Sequence, residues 1–150
     1  MDLKNAFVFN VMDYGATGSG NVFDTPAIKN AIQACHDAGG GTVVFPAGRY
    51  LTAPFQLLSR IILYLEPGAV VLASIDVNDY FVTHTSMESP RIGLIYARNS
   101  EDLAICGKGV IDCRGMAFMD VNTPKTGSDF EKKFTRQGDS YMSFENGVED

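Results

Sequence analysis

The chain is poor in the residues that usually build metal and cofactor sites: of 150 residues, three are cysteine, two histidine and none tryptophan. Cys35, Cys106 and Cys113 are too few and too irregularly spaced for a disulfide framework, and no Cys-x-x-Cys or His-x-x-x-His pair has zinc-ligand spacing. All three are expected to be buried thiols, with no metal and no cofactor. His36 and His84 stand far apart in sequence and are expected at the surface. No apolar run approaches the roughly 18 residues needed to cross a bilayer, and the start Met1-Asp2-Leu3-Lys4-Asn5 lacks a signal-peptide core, which leaves the compartment open. Positive charge is also short. Twelve Lys and Arg against eighteen Asp and Glu give a net charge of -6, which argues against nucleic-acid or membrane partners.

What is present is a globular composition, 45% hydrophobic and 20% charged, fitting one domain. One helix is expected near residues 26–38. Thr25 reads as its N-cap and Pro26 as its first residue, where the missing N–H costs nothing. Ile28, Ala31, Ile32 and Cys35 recur at i, i+3, i+4 and i+7 and form one apolar stripe, and Gly39-Gly40-Gly41 ends the helix. Upstream, Phe7, Phe9 and Val11 alternate as a short strand leading into Gly15-Ala16-Thr17-Gly18-Ser19-Gly20. That loop matches neither a dinucleotide fingerprint nor a P-loop and is read as a tight connection.

After the helix, the period changes to short aliphatic runs. Val43–Leu51, Leu63–Val71 and Ala104–Asp112 each read strand, turn, glycine, strand, and can be laid over one another with Gly48, Gly68 and Gly109 aligned. Their spacings of 20 and 41 residues approximate one period and two, the pattern of a solenoid whose coils supply strands to long parallel sheets. One interior stack is expected to hold Val44, Leu63 or Leu65, and Ile105. The next would hold Tyr50 or Leu51, Val70 or Val71, and Ile111. The longer interval contains the strand candidate Gly93–Ala97 and a polar excursion from Asp76 to Pro90, expected as a loop thrown out of one coil. The amphipathic helix then has a role as a plug over the open end of the stack. The expected fold class is all-β, a right-handed parallel β-helix with an N-terminal capping α-helix. Residues 114 to 150 are too sparse in apolar side chains for a further coil, so residues 1–150 are expected to be the first coils of a longer single domain.

Val11-Met12-Asp13-Tyr14-Gly15-Ala16, Asp24-Thr25-Pro26-Ala27-Ile28, Gly39-Gly40-Gly41-Thr42-Val43 and Phe45-Pro46-Ala47-Gly48 together resemble the amino-terminal signature of the pectin-lyase-like β-helices. Leu57-Leu58-Ser59, Ile61–Ala69, Asp79-Tyr80 and Gly107-Lys108-Gly109-Val110-Ile111-Asp112 narrow the resemblance to polygalacturonases, glycoside hydrolase family 28. Phe134-Thr135-Arg136-Gln137-Gly138 is similar to the bacterial exo-acting branch. Ser19 departs from the family's usual acidic residue, and Cys113 from its usual glycine. The resemblance implies hydrolysis of galacturonosyl linkages by an inverting acid and base, with pectin, polygalacturonate or oligogalacturonides as the polysaccharide partner and no cofactor.

The family's Asn-Thr-Asp, Asp-Asp, His-Gly and Arg-Ile-Lys segments do not occur in this sequence. No catalytic, substrate-binding or metal residue is therefore carried over, and the catalytic coils are expected beyond residue 150. The chain's own carboxylates offer two pairs, Asp112 with Asp120 and Asp76 with Asp79; turn-tuning is expected of Asp112 and loop solvation of Asp76 and Asp79. The alternatives are a pectate-lyase-like enzyme, or a non-catalytic β-helix used for carbohydrate binding or as a stalk.

Overall fold

A computed structural model describes residues 7–81, 84–85, 90–91 and 93–118, with backbone alone at 84–85 and 90–91. The described strands are β1 (Val8–Asn10), β2 (Ser19–Phe23), β3 (Gly41–Phe45), β4 (Gly48–Thr52), β5 (Phe55–Leu57), β6 (Ile61–Leu65), β7 (Ala69–Ala73), β8 (His84–Thr85), β9 (Pro90–Arg91), β10 (Ile95–Ala97), β11 (Ala104–Gly107) and β12 (Val110–Asp112), with one α-helix, α1 (Thr25–Asp37). They assemble into parallel sheets ordered β1-β3-β6-β11, β2-β4-β7-β12 and β5-β10, while β8 and β9 form a separate antiparallel pair.

The expected period is present as strand register. Val43 stands beside Leu63 and Leu63 beside Ile105; Tyr50 stands beside Val71 and Val71 beside Ile111. Because side chains alternate across a strand, each ladder separates an inward from an outward row. Val43, Phe45, Ile61, Leu63, Leu65, Tyr50, Val71, Phe55 and Leu57 are buried in one core. Phe45 and Tyr50 meet edge to face there, with ring centroids 5.2 Å apart.

Three details of the expected stacking are corrected. Val44 is not interior: it stands beside Tyr64, and Tyr64 beside Cys106, in the outward row, one residue out of phase with the buried Val43. Gly48 pairs with Ala69 and not with Gly68, since the turn after β6 has three residues where the turn after β3 has two. The interval of 41 residues is one step of the ladder and not two, for β11 lies directly on β6 and β12 on β7. The extra length is the excursion between β7 and β10, which returns to place β10 on β5.

The helix buries Ile28, Ala31, Ile32 and Cys35 against β1, β3, β5, β6 and the 3-10 turn Val11–Tyr14. Its entry differs from expectation. Asp24 occupies the N-cap position and Thr25 is the first helical residue. The Asp24 carboxylate turns back to accept the Thr17 amide at 2.6 Å, the Thr17 hydroxyl at 3.1 Å and the Gly18 amide at 3.2 Å. The glycine-rich loop therefore directs these amides at an internal anion, in keeping with a structural connection. Its second half is β2, a strand absent from the sequence reading because Ser19-Gly20-Asn21 has little strand propensity and the register on β4 shifts between Ser19 and Phe23. β5 was likewise missed, being only three residues long.

Cys35 is buried, whereas Cys106 and Cys113 are exposed, a correction to the expected burial of all three. Cys106 belongs to the outward row, and Cys113 follows the end of β12. His36 is half-buried, with Nδ1 3.4 Å from the Ser59 carbonyl oxygen, so it is not an ordinary surface residue. The side chain of His84 lies outside the described residues.

Candidate functional site

Of the carboxylates singled out in the sequence, Asp76, Asp79 and Asp112 lie close to where β7 and β12 end. Asp112 stands beside Leu72 in the ladder, so the residues after it run alongside Ala73 and Ser74. Arg114 completes the junction: its Nε donates to the Ala73 carbonyl at 2.6 Å, and its amide donates to Asp112 Oδ1 at 2.9 Å. The chain thus joins two successive rungs just where the excursion departs.

Ser74 organises the start of that excursion. It is buried, its hydroxyl donates to the Asp79 carboxylate, and the same oxygen accepts the Asp76 amide at 3.1 Å. Asp76 caps the 3-10 turn Val77–Asp79, accepting the Asn78 amide at 2.9 Å and its side-chain Nδ2 at 2.8 Å. Tyr80 closes the group by donating its hydroxyl to the Ser74 carbonyl at 2.7 Å and packing edge to face on Phe118, 5.9 Å between centroids. Burial pushes the Tyr80 phenol up to about 12; Cys113 and Asp79 add to the rise and the Arg114 charge opposes it. A neutral phenol remains a donor, as its bond to Ser74 requires.

Each described carboxylate of the two candidate pairs is therefore engaged in local structure. Asp112 holds the turn into Arg114, Asp76 caps a 3-10 turn, and Asp79 receives Ser74. Asp120, the other member of its pair, lies outside the described residues. Tyr80 entered the sequence reading only as part of the Asp79-Tyr80 motif, and Ser74 and Arg114 were not candidates there. Ser74 and Tyr80 meet within the local turn, while the return of β12 onto β7 brings Arg114 beside it. Among the described residues no cluster of three or more His, Cys, Asp or Glu is arranged to hold a metal ion.

A second feature is an open apolar concavity of about 240 Å³ lined by Leu57, Ile95, Tyr96, Leu103, Ala104 and Ile105. Its lining is that of a core: Ile105 continues the Val43–Leu63 row yet is 47% exposed. The concavity is thus the inner face of the final described rung, with the Tyr96 hydroxyl as the one polar group among those lining side chains.

A model of the family described as Rhamnogalacturonase A/epimerase, pectate lyase-like, matches residues 8–100. Exo-poly-alpha-D-galacturonosidase of Dickeya chrysanthemi is 35% identical over 121 residues, covering 72% of this chain and 20% of that protein. A mannuronan C5-epimerase of Azotobacter vinelandii is 55% identical over 49 residues, 33% of this chain and 3% of the epimerase. Among solved structures, the hyperthermoactive exopolygalacturonase of Thermotoga maritima superposes with a TM-score of 0.64 at 32% identity, over 71% of this chain and 24% of the enzyme. The chain spans about a quarter or less of each of these three proteins. The parallel rungs and the match over residues 8–100 make this chain a member of the rhamnogalacturonase A/epimerase, pectate lyase-like family.

Proposed function

We propose that residues 1–150 are the capping helix and first coils of a right-handed parallel β-helix, part of a longer single domain that hydrolyses galacturonosyl linkages of pectin. The observation that carries the reading is the likeness to exo-acting galacturonosidases across more than two-thirds of the chain, in sequence and in strand arrangement. An inverting glycosidase needs an acid and a base about 6.5 to 9.5 Å apart. Equivalent outward positions on neighbouring parallel strands stand about 4.8 Å apart, and two rungs apart about twice that, so a longer stack can supply such a pair. The carboxylates at Asp76, Asp79 and Asp112 are engaged in turns, which supports placing the acid and base on coils beyond residue 150.

The test is reducing-end release from polygalacturonate by purified residues 1–150 beside a version extended into the downstream sequence. Turnover is expected from the extended version alone, because removing the acid or base of such a pair forfeits about 10² to 10⁴ in rate. Turnover by the short chain that vanishes in Asp112→Asn would move the active site into this segment. A lyase-type reading, kept alive by the pectate-lyase-like family description, requires unsaturated uronate products. Polymer binding without product of either kind by the extended version would instead favour the non-catalytic reading.

A further inference from the structure

Tyr50 is fully buried, yet its hydroxyl touches a side chain that reaches solvent. The phenol donates to the Pro46 carbonyl at 2.9 Å, in the turn between β3 and β4, and the same oxygen lies 3.7 Å from Met12 Sδ. The ring has little freedom to move. Phe45 meets it edge to face, and a Cβ at Gly18 or Gly48 would stand 3.4 Å from it. Met12 belongs to the 3-10 turn Val11–Tyr14, on which α1 packs, and is 43% exposed. One thioether side chain is thus open to solvent and in contact with a core hydroxyl.

We infer that Met12 is a site of oxidative modification by peroxides, and that its sulfoxide breaks the hydrogen bond by which Tyr50 holds the turn between β3 and β4. In the reaction a sulfur lone pair attacks one peroxide oxygen, the O–O bond breaks, and the attacked oxygen stays on sulfur. The thioether gives up two electrons and the peroxide gains them. With hydrogen peroxide, the proton of the transferred oxygen joins the leaving hydroxide as water. A thioether is a weak acceptor, so Tyr50 gives its single proton to the nearer Pro46 oxygen. A sulfoxide places a strong, polar acceptor on the same sulfur, and the packed ring cannot retreat from it. The Tyr50 hydroxyl then turns toward the sulfoxide, and the Pro46 carbonyl loses its donor. Among the described residues Cys35 is buried, and Met116, 69% exposed, is the reference for a readily reached thioether. The inference uses only side chains at the capped end of the stack and is independent of the hydrolase reading.

The experiment treats the full 150-residue chain with hydrogen peroxide, returns its cysteines with a thiol reductant, and then locates added oxygen by peptide mass spectrometry while recording Tm. Met12 is expected to gain one oxygen under conditions that convert Met116. Tm should fall by about 2 to 4 °C, the loss of one hydrogen bond in a chain of this size. Met12→Leu, which keeps the shape without the sulfur, should lose this fall. Tyr50→Phe has no proton to divert, so it should take up oxygen at Met12 with its own Tm unchanged. Met12 left unoxidised while Met116 is converted, an unchanged Tm in the unsubstituted chain once Met12 carries oxygen, or an equal fall in Met12→Leu would each overturn the inference. A full fall in a folded Tyr50→Phe variant would overturn the route through the phenol.

Discussion

Thr25 and Thr52 meet hydroxyl to hydroxyl at 3.1 Å, buried where the helix begins, although 27 residues separate them. Thr52 Oγ1 donates to the Ala53 carbonyl at 2.8 Å, and Thr25 Oγ1 accepts the Ala53 amide at 2.9 Å. Since the one Thr52 hydroxyl proton is committed to Ala53, Thr25 must be the donor between the two threonines. The three bonds form a closed set that ties the start of α1 to the end of β4.

Thr25→Val keeps the shape but leaves the Ala53 amide and the Thr52 oxygen without their partner. A loss of about 1 to 3 kcal/mol is expected, read as a lowered urea midpoint at unchanged slope. Thr25→Ser should recover most of it. Equal stability of the valine variant would show that water replaces the bond at no cost.

Ile32 is 2% exposed on the helix face that meets the sheets. Ile32→Ala is expected to cost about 3 kcal/mol through lost burial and the cavity left behind. Lys29→Ala, on the exposed face, should stay within about 0.5 kcal/mol of the unsubstituted chain. Similar midpoints for the two variants would mean the helix is peripheral to folding.

Gly107 has φ near +115°, and a Cβ there would run into the carbonyl oxygen of Leu65. That oxygen also accepts the Lys108 and Gly109 amides at 2.9 and 3.2 Å, so the turn after β11 is built on it. Gly107→Ala should destabilise the turn by more than about 2 kcal/mol. The measurement is hydrogen exchange, with faster exchange expected at Lys108 and Gly109. Gly115→Ala, which meets open space, serves as the control; unchanged protection in Gly107→Ala would contradict the packing described.

Burial pushes the Cys35 thiol from 9.0 up to about 11. Between those values the unfolded chain releases its proton while the folded chain keeps it, so the unfolded state binds fewer protons and stability falls as pH rises. The contribution is complete below pH 9 and lost by about pH 11. Cys35→Ala should flatten the decline in denaturation midpoint across this window, leaving the parts due to the phenols of Tyr50 and Tyr80, both raised chiefly by burial, the latter to about 12. An identical slope in both proteins would show that the thiol does not titrate against folding.

Periodicity made several features legible in the sequence. The apolar stripe Ile28, Ala31, Ile32 and Cys35 is set by the helical repeat within thirteen residues. The runs at 43–45, 63–65 and 104–107 carry the composition of strands, and the excursion beginning at Asp76 announces itself by its polarity. The family resemblance followed from motifs in the same segments. The carboxylates near Asp76 and Asp112 were visible as candidates, but their engagement was not, because the bonds made by Ser74 and Arg114 carry no local signal.

The sequence by itself determined the helix at 25–37 and the strand runs at 43–45, 63–65 and 104–107, since those preferences arise from neighbours a few residues apart. Tertiary structure decided the phase of the rungs: Val43 inward and Val44 outward, Gly48 beside Ala69, and the segment at Asp112 returned onto β7 across an interval of 40 residues. It likewise drew Thr25 away from capping toward Thr52 and left Cys106 exposed. The reason is physical. A parallel ladder pairs residues tens of positions apart, and one residue more or less in a turn shifts which side chain faces the core. Only the packed stack, where interior volume and backbone bonds are satisfied together, selects among those registers.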